Sequence, residues 1–327
     1  MIWLILAIII VAILLYLVIY NRNEVRKAEQ AYPPTGSFVE VEGVRLHYVS
    51  KGRGKPIVFL HGGVLSTYDF EHVSELASHS YQTLVFDRPG YGYSERPLGL
   101  QATPDVQARL LRGALQALGI DRPIIVGHSM SGAVVLTYAL NYADEIDGVI
   151  LLGAAAYGGK AYPAGDGDWL SRMIHTPLIG HFLLHVLLVP LGRVIMNAML
   201  TATFTPDPVP EEYRKITTAL WLRPGQFKAN REDILFFSPY VNSISARYQD
   251  IQLPVAIVIG DSDPFNKDVQ SYRLHKEIEH SRLFELSNLG HMIPQIRPEA
   301  VVEIISILLQ DIEKMHHFKS ELSGTSS

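Results

Sequence analysis

Short, continuous runs of β-forming apolar residues recur along this chain: PIVFL (56–60), TLVF (83–86), PIIVG (123–127), GVILLG (148–153) and PVAIVIG (254–260). A strand with no polar alternation has no side to give to water, so each must be covered on both faces. Between them lie stretches with helical spacing. PDVQARLLRGALQAL (104–118) has Pro near its start and Gly119 after its end, and another helix opens at Met130. Strand alternating with helix predicts an α/β fold, a mostly parallel sheet with helices on both faces. Ahead of these runs, FVEVEGVRLHYV (38–49) alternates around Glu42-Gly43 and predicts a hairpin.

The rhythm lapses at Tyr157. From Trp169 to about Tyr248 the sequence reads as helix with no convincing strand. It resumes with PVAIVIGDSD, a helix from about Asp268, the strand RLFELSN (282–288) and a helix from about Pro298 to Met315. The expected organisation is therefore an α/β core over 37–157 and 249–318, interrupted by a helical insertion over 158–248. A mobile tail is expected at 319–327.

Residues 1–20, MIWLILAIIIVAILLYLVIY, carry no charged side chain. As a helix they would reach roughly 30 Å, the thickness of a bilayer core. Trp3, Tyr16 and Tyr20 lie near the ends, where aromatic rings favour the interface. The segment reads as a single-pass anchor. It does not read as a cleaved signal, because no basic region precedes it and no small-residue cleavage site follows. Arg22, Arg26 and Lys27 follow the span, which places the body in the cytoplasm by the positive-inside rule. Residues 21–36, ending AYPPTG, read as a polar tether.

The net charge of −5 offers no basic field for nucleic acid, so no nucleic-acid partner is expected. The chain has no cysteine, which excludes disulfides, cysteine-ligated zinc and a thiolate nucleophile.

At the end of PIIVG the chain reads GHSMSG (127–132). A strand that turns into a helix this sharply strains the residue at the corner and needs small residues two positions either side. Gly127 and Ser131 occupy those positions. The turn would lift the Ser129 hydroxyl above the sheet, with the Met130 N–H facing a developing oxyanion. Ser131 is a second candidate for the nucleophile. A purely structural role for Ser129 would be to cap the helix that follows.

Taken together and in order, LHGG, FDRPGYGYSERP, GHSMSG, GDSDP and LGHM resemble the α/β-hydrolase fold family over most of residues 37–318. The resemblance implies an eight-stranded sheet and makes the insertion a helical cap. It implies that Ser129 is the nucleophile, that Asp263 is the acid, with Asp261 as the other candidate, and that His291 is the base. It also gives the backbone N–H of Gly63, or of Val64, as the second oxyanion donor beside Met130. FDRPGYGYSERP is read as structural.

The expected activity is hydrolysis of a lipophilic carboxylic ester through an acyl-enzyme, with no metal or organic cofactor. Dehalogenases and epoxide hydrolases of this fold use a carboxylate nucleophile, which the elbow lacks. A carbon–carbon bond hydrolase remains open, although many of those carry Trp after the histidine where this chain has Met292. The same groups would serve an acyltransferase or perhydrolase, and the same scaffold would suit a non-catalytic membrane-tethered binding protein. PLIGHFLLHVLLVPLGRVIMNAML (177–200) is unusually apolar, and Pro190 and Arg193 argue against a second span. It reads as cap helices or as a lipophilic entrance touching the bilayer. His181 and His185 share a helical face without the third ligand a metal site needs.

Overall fold

The computed structural model describes residues 1–324 except 65, 162–167 and 266, with side chains described through 315. The expected loop after Tyr157 and the end of the expected tail lie partly outside the described residues.

Among the described residues eight strands form one sheet. They are β1 (Ser37–Val41), β2 (Val44–Lys51), β3 (Pro56–Leu60), β4 (Gln82–Phe86), β5 (Ile124–His128), β6 (Gly148–Leu152), β7 (Val255–Gly260) and β8 (Arg282–Leu286). The spatial order is β1-β2-β4-β3-β5-β6-β7-β8. β1 and β2 form the expected antiparallel hairpin, with Glu42 and Gly43 at φ 52° and 76° as a tight hairpin turn requires. From β4 to β8 every neighbouring pair is parallel. Alternate residues of one strand serve opposite layers. Val58 and Leu60 pack in a core with residues of α3 (Pro104–Ala117) and α4 (Ser131–Asn141). Ile57 and Phe59 pack in a second core with residues of α2 (Glu71–Ala77) and α12 (Pro298–Gly324). The mostly parallel α/β architecture read from the sequence is the one observed.

The insertion contains α5 (Trp169–His175), α6 (Pro177–Phe182), a π turn (Leu183–Leu187), α7 (Leu188–Phe204), α8 (Glu211–Trp221) and α9 (Pro224–Ile244). Most of a third hydrophobic cluster comes from it, including Leu188, Met196, Phe204, Trp221 and Phe227. Two short helices, α10 (Arg273–Glu277) and α11 (Ile293–Ile296), flank β8.

α1 spans Ile2–Ala31 and is long and apolar enough to cross a membrane; none of its most apolar stretch is buried. The segment Pro177–Phe204 passes the same test with a third of that stretch buried. The expected tether is helical as far as Ala31, leaving 32–36 as the non-helical link. Its polarity marks the side chains that meet the cap and water, not a loss of helix. α12 likewise continues past Met315 to Gly324.

Candidate active site

The elbow begins at the C-terminal end of β5. Ser129 sits at φ 55°, a left-handed conformation that costs a non-glycine residue energy and is held by its neighbours. Its N–H donates to the Leu152 carbonyl at 2.9 Å, and its carbonyl accepts from Ala155 at 2.9 Å, which stitches the corner to the end of β6. The turn has little room. A Cβ on Gly127 would lie 2.6 Å from Val135 Cγ2, and one on Gly132 would lie 2.5 Å from Ala154 Cβ. Ser131, in the second small position, is fully buried, and its hydroxyl donates to the His61 carbonyl. That commitment takes Ser131 out of the cavity, which Ser129 lines.

Asp263 and His291 come from the loops after β7 and β8. His291 Nδ1–H donates to Asp263 Oδ2 at 2.8 Å, and the second carboxylate oxygen accepts the Phe265 N–H at 2.9 Å. Burial alone would raise the Asp263 pKa, but the charge and hydrogen bond of His291 and the Phe265 amide hold it below the ordinary carboxylate value. Asp261 does something else. Its carboxylate accepts from the Leu289 N–H at 3.2 Å and from the Ser262 hydroxyl at 2.9 Å, shaping the loop that presents His291. The His291 N–H donates to Thr203 of α7 at 3.0 Å, and Met292 joins the hydrophobic cluster of the cap.

With Nδ1 committed, Nε2 of His291 is buried and makes no hydrogen bond among the described residues, to Ser129 or to any other. Ser129 and Asp263 line one cavity of about 40 Å³, with Gly153, Ala155 and Phe265 among its walls. That is room for a few water molecules. The ring of Phe265 stands edge-on to His291, 4.3 Å between centroids. Gly153, at φ 50°, borders the pair closely: a Cβ there would lie 3.0 Å from His291 Nδ1 and 3.2 Å from Asp263 Oδ2.

The LHGG turn is fixed from several sides. Arg88 N–H donates to His61 Nε2 at 2.9 Å, so the His61 proton is on Nδ1 and donates to the Gly62 carbonyl at 2.8 Å. Burial, helped by the Arg88 charge, pushes the His61 pKa down to about 3, which keeps that ring neutral. The Arg88 guanidinium also donates to the Gly62 carbonyl at 3.0 Å, and Asn230 of α9 donates to the Gly63 carbonyl. The Gly62 N–H donates to Asp69 Oδ2 at 3.2 Å. These contacts turn Gly63 toward Met130, so that a Cβ on Gly63 would lie 3.4 Å from Met130 Cε. Neither the Gly63 nor the Met130 N–H donates a hydrogen bond among the described residues.

Sequence reasoning did not find a buried polar network that joins this floor to the cap. Asp69 also accepts a 2.6 Å hydrogen bond from the Tyr213 hydroxyl of α8. Asp233 of α9 accepts from Arg88 at 2.8 Å, from Arg96 at 2.7 Å and from the Tyr91 hydroxyl at 3.1 Å. FDRPGYGYSERP therefore carries structural ties, as expected, and its arginines reach the cap. The stretch TYDFEH (67–72) pairs Asp69 with Glu71 two residues on and sets neither apart, so the sequence carries no signal for Asp69.

Comparison with known proteins bears on the family and the fold. The family described as alpha/beta hydrolase fold matches residues 55–294. The uncharacterized hydrolase YugF of Bacillus subtilis is 26% identical over 288 residues, covering 85% of this chain and 98% of its own. The 2-hydroxy-6-oxo-6-(2'-aminophenyl)hexa-2,4-dienoic acid hydrolase of Metapseudomonas resinovorans is 24% identical over 281 residues, covering 84% and 89%. Among solved structures, the enol-lactonase of Burkholderia xenovorans superposes with a TM-score of 0.68 at 21% identity, covering 84% of this chain and all of that one, a likeness of fold.

Proposed function

This chain belongs to the α/β-hydrolase family, and we propose that it is a membrane-anchored serine hydrolase acting on a lipophilic carboxylic ester. The observation that carries the reading is the state of His291. Asp263 fixes its Nδ1–H at 2.8 Å, leaving Nε2 buried and unpartnered, with the ring 4.9 Å from that of His128, the neighbour of Ser129 in the strained corner. A buried, unsatisfied nitrogen acceptor is costly unless it serves a purpose, and accepting a proton from Ser129 is one.

Ser129 Oγ attacks the acyl carbonyl while Nε2 takes its proton. Ionised Asp263 stabilises the imidazolium that forms. The Gly63 and Met130 N–H groups receive the negative charge on the carbonyl oxygen. The imidazolium then gives its proton to the departing alcohol, leaving an acyl-enzyme. Water, deprotonated by the same Nε2, attacks the acyl carbon and releases the acid and Ser129. The Ser129–His291 hydrogen bond this requires forms when substrate fills the site, as such bonds commonly do. The cavity is far below the 300 Å³ or so of typical ligand pockets, so its walls, Ala155, Phe265 and Gln270 among them, must move to admit an ester.

An anchor at residues 1–20 would deliver apolar esters from the bilayer. Deleting those residues should release the protein from membranes; a full-length chain that is soluble after lysis would refute the anchor.

The catalytic reading is tested with a fluorophosphonate probe and p-nitrophenyl esters of graded chain length. Wild type should label at Ser129 and hydrolyse the longer acyl chains best. Ser129→Ala should lose the label and about 10⁴-fold or more of the turnover. Labelling that survives Ser129→Ala would refute the assignment.

A second reading, carbon–carbon bond hydrolysis with the same groups, is favoured by the names of relatives such as the M. resinovorans hydrolase. A dienoate carboxylate would require a cation beside the cleft. Lys267 lines it, but that ammonium is bound to the Asp261 carbonyl and lies 3.3 Å from Glu285. Turnover of a 2-hydroxy-6-oxo-dienoate faster than any ester would decide for this reading.

A further inference from the structure

The helix that follows the apolar run is bound to the cap at a defined point. Asn21 is 2% exposed; its Nδ2 donates to the Val186 carbonyl at 2.9 Å and its Oδ1 accepts from the Val189 N–H at 3.0 Å. Those groups flank the end of the π turn, where the helical hydrogen-bond ladder changes register. α1 and the cap therefore keep a fixed relation, and between them and the loop around residues 90–101 lies a cleft of about 1090 Å³.

The cleft is apolar at one end and cationic at the other. On α1, Val18, Arg22 and Arg26 line it at four-residue intervals, which puts them in one stripe. From the cap come Leu178, Phe182 and Val186. Leu178 is 87% exposed and Phe182 42% exposed, so this wall opens outward. Arg22 and Arg26 are exposed and have no ion pair or hydrogen bond among the described residues. Nearby carboxylates are taken: Glu24 by Lys27 and Arg193, Glu29 by Arg223, and Glu232 by Arg96 and Lys228. His181 and His185, left without a role by the absence of a metal cluster among the described residues, lie in the same cleft with ring centroids 4.3 Å apart and planes tilted by 41°. Burial, His181 and Arg22 push the His185 pKa below its ordinary value, so His185 offers a neutral N–H donor. The cleft shares no lining residue with the cavity at Ser129.

Depth along α1 identifies the ligand. With the apolar run ending at Tyr20, Arg22 and Arg26 lie roughly 3 and 9 Å beyond it, at the level of lipid phosphates. Val18 lies inside the hydrocarbon. We propose that this cleft is a binding site for an anionic phospholipid of the surrounding bilayer. The phosphate lies against Arg22 and Arg26, and an acyl chain runs past Val18 and Phe182. The proposal rests on the anchor reading of residues 1–20.

The test uses the full-length chain in dodecyl maltoside micelles, titrated with dioleoylphosphatidylglycerol or dioleoylphosphatidylcholine, with the thermal midpoint as readout. Phosphatidylglycerol should stabilise wild type and phosphatidylcholine should not. Each cation beside an anionic headgroup is worth roughly five-fold in affinity, so R22Q/R26Q should need about 25- to 30-fold more of the anionic lipid. K27Q removes a charge on the same helix but outside the cleft and should change the requirement by less than about three-fold. Equal responses of R22Q/R26Q and wild type would overturn the site. So would an equal stabilisation by inorganic phosphate alone, since that needs no acyl chain. Flotation with phosphatidylcholine vesicles after a carbonate wash separates the two readings. A chain that does not float refutes the anchor and this site with it; one that floats but ignores phosphatidylglycerol refutes this site alone.

Discussion

Replacing Asp69 by Asn should change how the protein's stability responds to pH. This carboxylate is buried beneath the LHGG turn, between the Gly62 N–H and the Tyr213 hydroxyl. Burial raises its pKa from 3.8 to about 6, and the two hydrogen bonds and the Arg88 charge only partly offset that. A rise of about 2 units corresponds to about 3 kcal/mol. The folded state holds the proton at a pH where the unfolded chain has lost it. The associated stability is therefore complete below about pH 4 and is lost as pH rises through about 6. Asn is neutral throughout. It can turn its oxygen to Gly62 N–H and its amide to the Tyr213 oxygen, so both contacts survive. Urea unfolding of wild type and Asp69→Asn in the same micelles at pH 4 and pH 7.5 measures the difference. Asn should gain about 3 kcal/mol relative to Asp between those two values. Curves that stay parallel within about 0.5 kcal/mol would show that the buried carboxyl titrates as it does in the unfolded chain, and the reasoning would fail. Asp69→Ala separates charge from contact: it leaves the Gly62 N–H unpaired, and so should lower ester turnover where Asn does not.

Two other substitutions probe the neighbouring contacts. Gly153→Ala adds a methyl 3.0 Å from His291 Nδ1 at φ 50°. It should cut kcat by about 10- to 100-fold with little change in KM; a wild-type rate would show that the His–Asp pair tolerates displacement. Asn21→Leu leaves the Val186 carbonyl and Val189 N–H without their partner. The loss, about 3 kcal/mol, should speed hydrogen exchange at the Val189 amide by about 100-fold. Unchanged protection would mean that other contacts hold α1 to the cap.

Features set by near neighbours in sequence were legible from the sequence, and features set by distant residues were not. The parallel half of the sheet follows from apolar runs that can only be buried. The corner at Ser129 follows from steric demands within six residues, and the structure meets them with φ 55° and two glycines that leave no space for a Cβ. Asp261 and Asp263 differ by two positions on one loop, and spacing alone left both open. The structure gives them different partners: Asp261 accepts from the Leu289 amide, and Asp263 accepts from His291. The Asp69–Tyr213 and Arg88–Asp233 contacts join residues 144 and 145 positions apart, with no local pattern to announce them. The polar stretch after Tyr20 was misleading for a related reason. Residues that look like a solvated tether are the face of a helix whose partner, the π turn at 183–187, lies more than 160 residues away. These long-range polar ties all join the floor of the site, or α1, to the cap. The cap is therefore tied at two ends, to α1 through Asn21 and to the floor of the site through Tyr213 and Asp233.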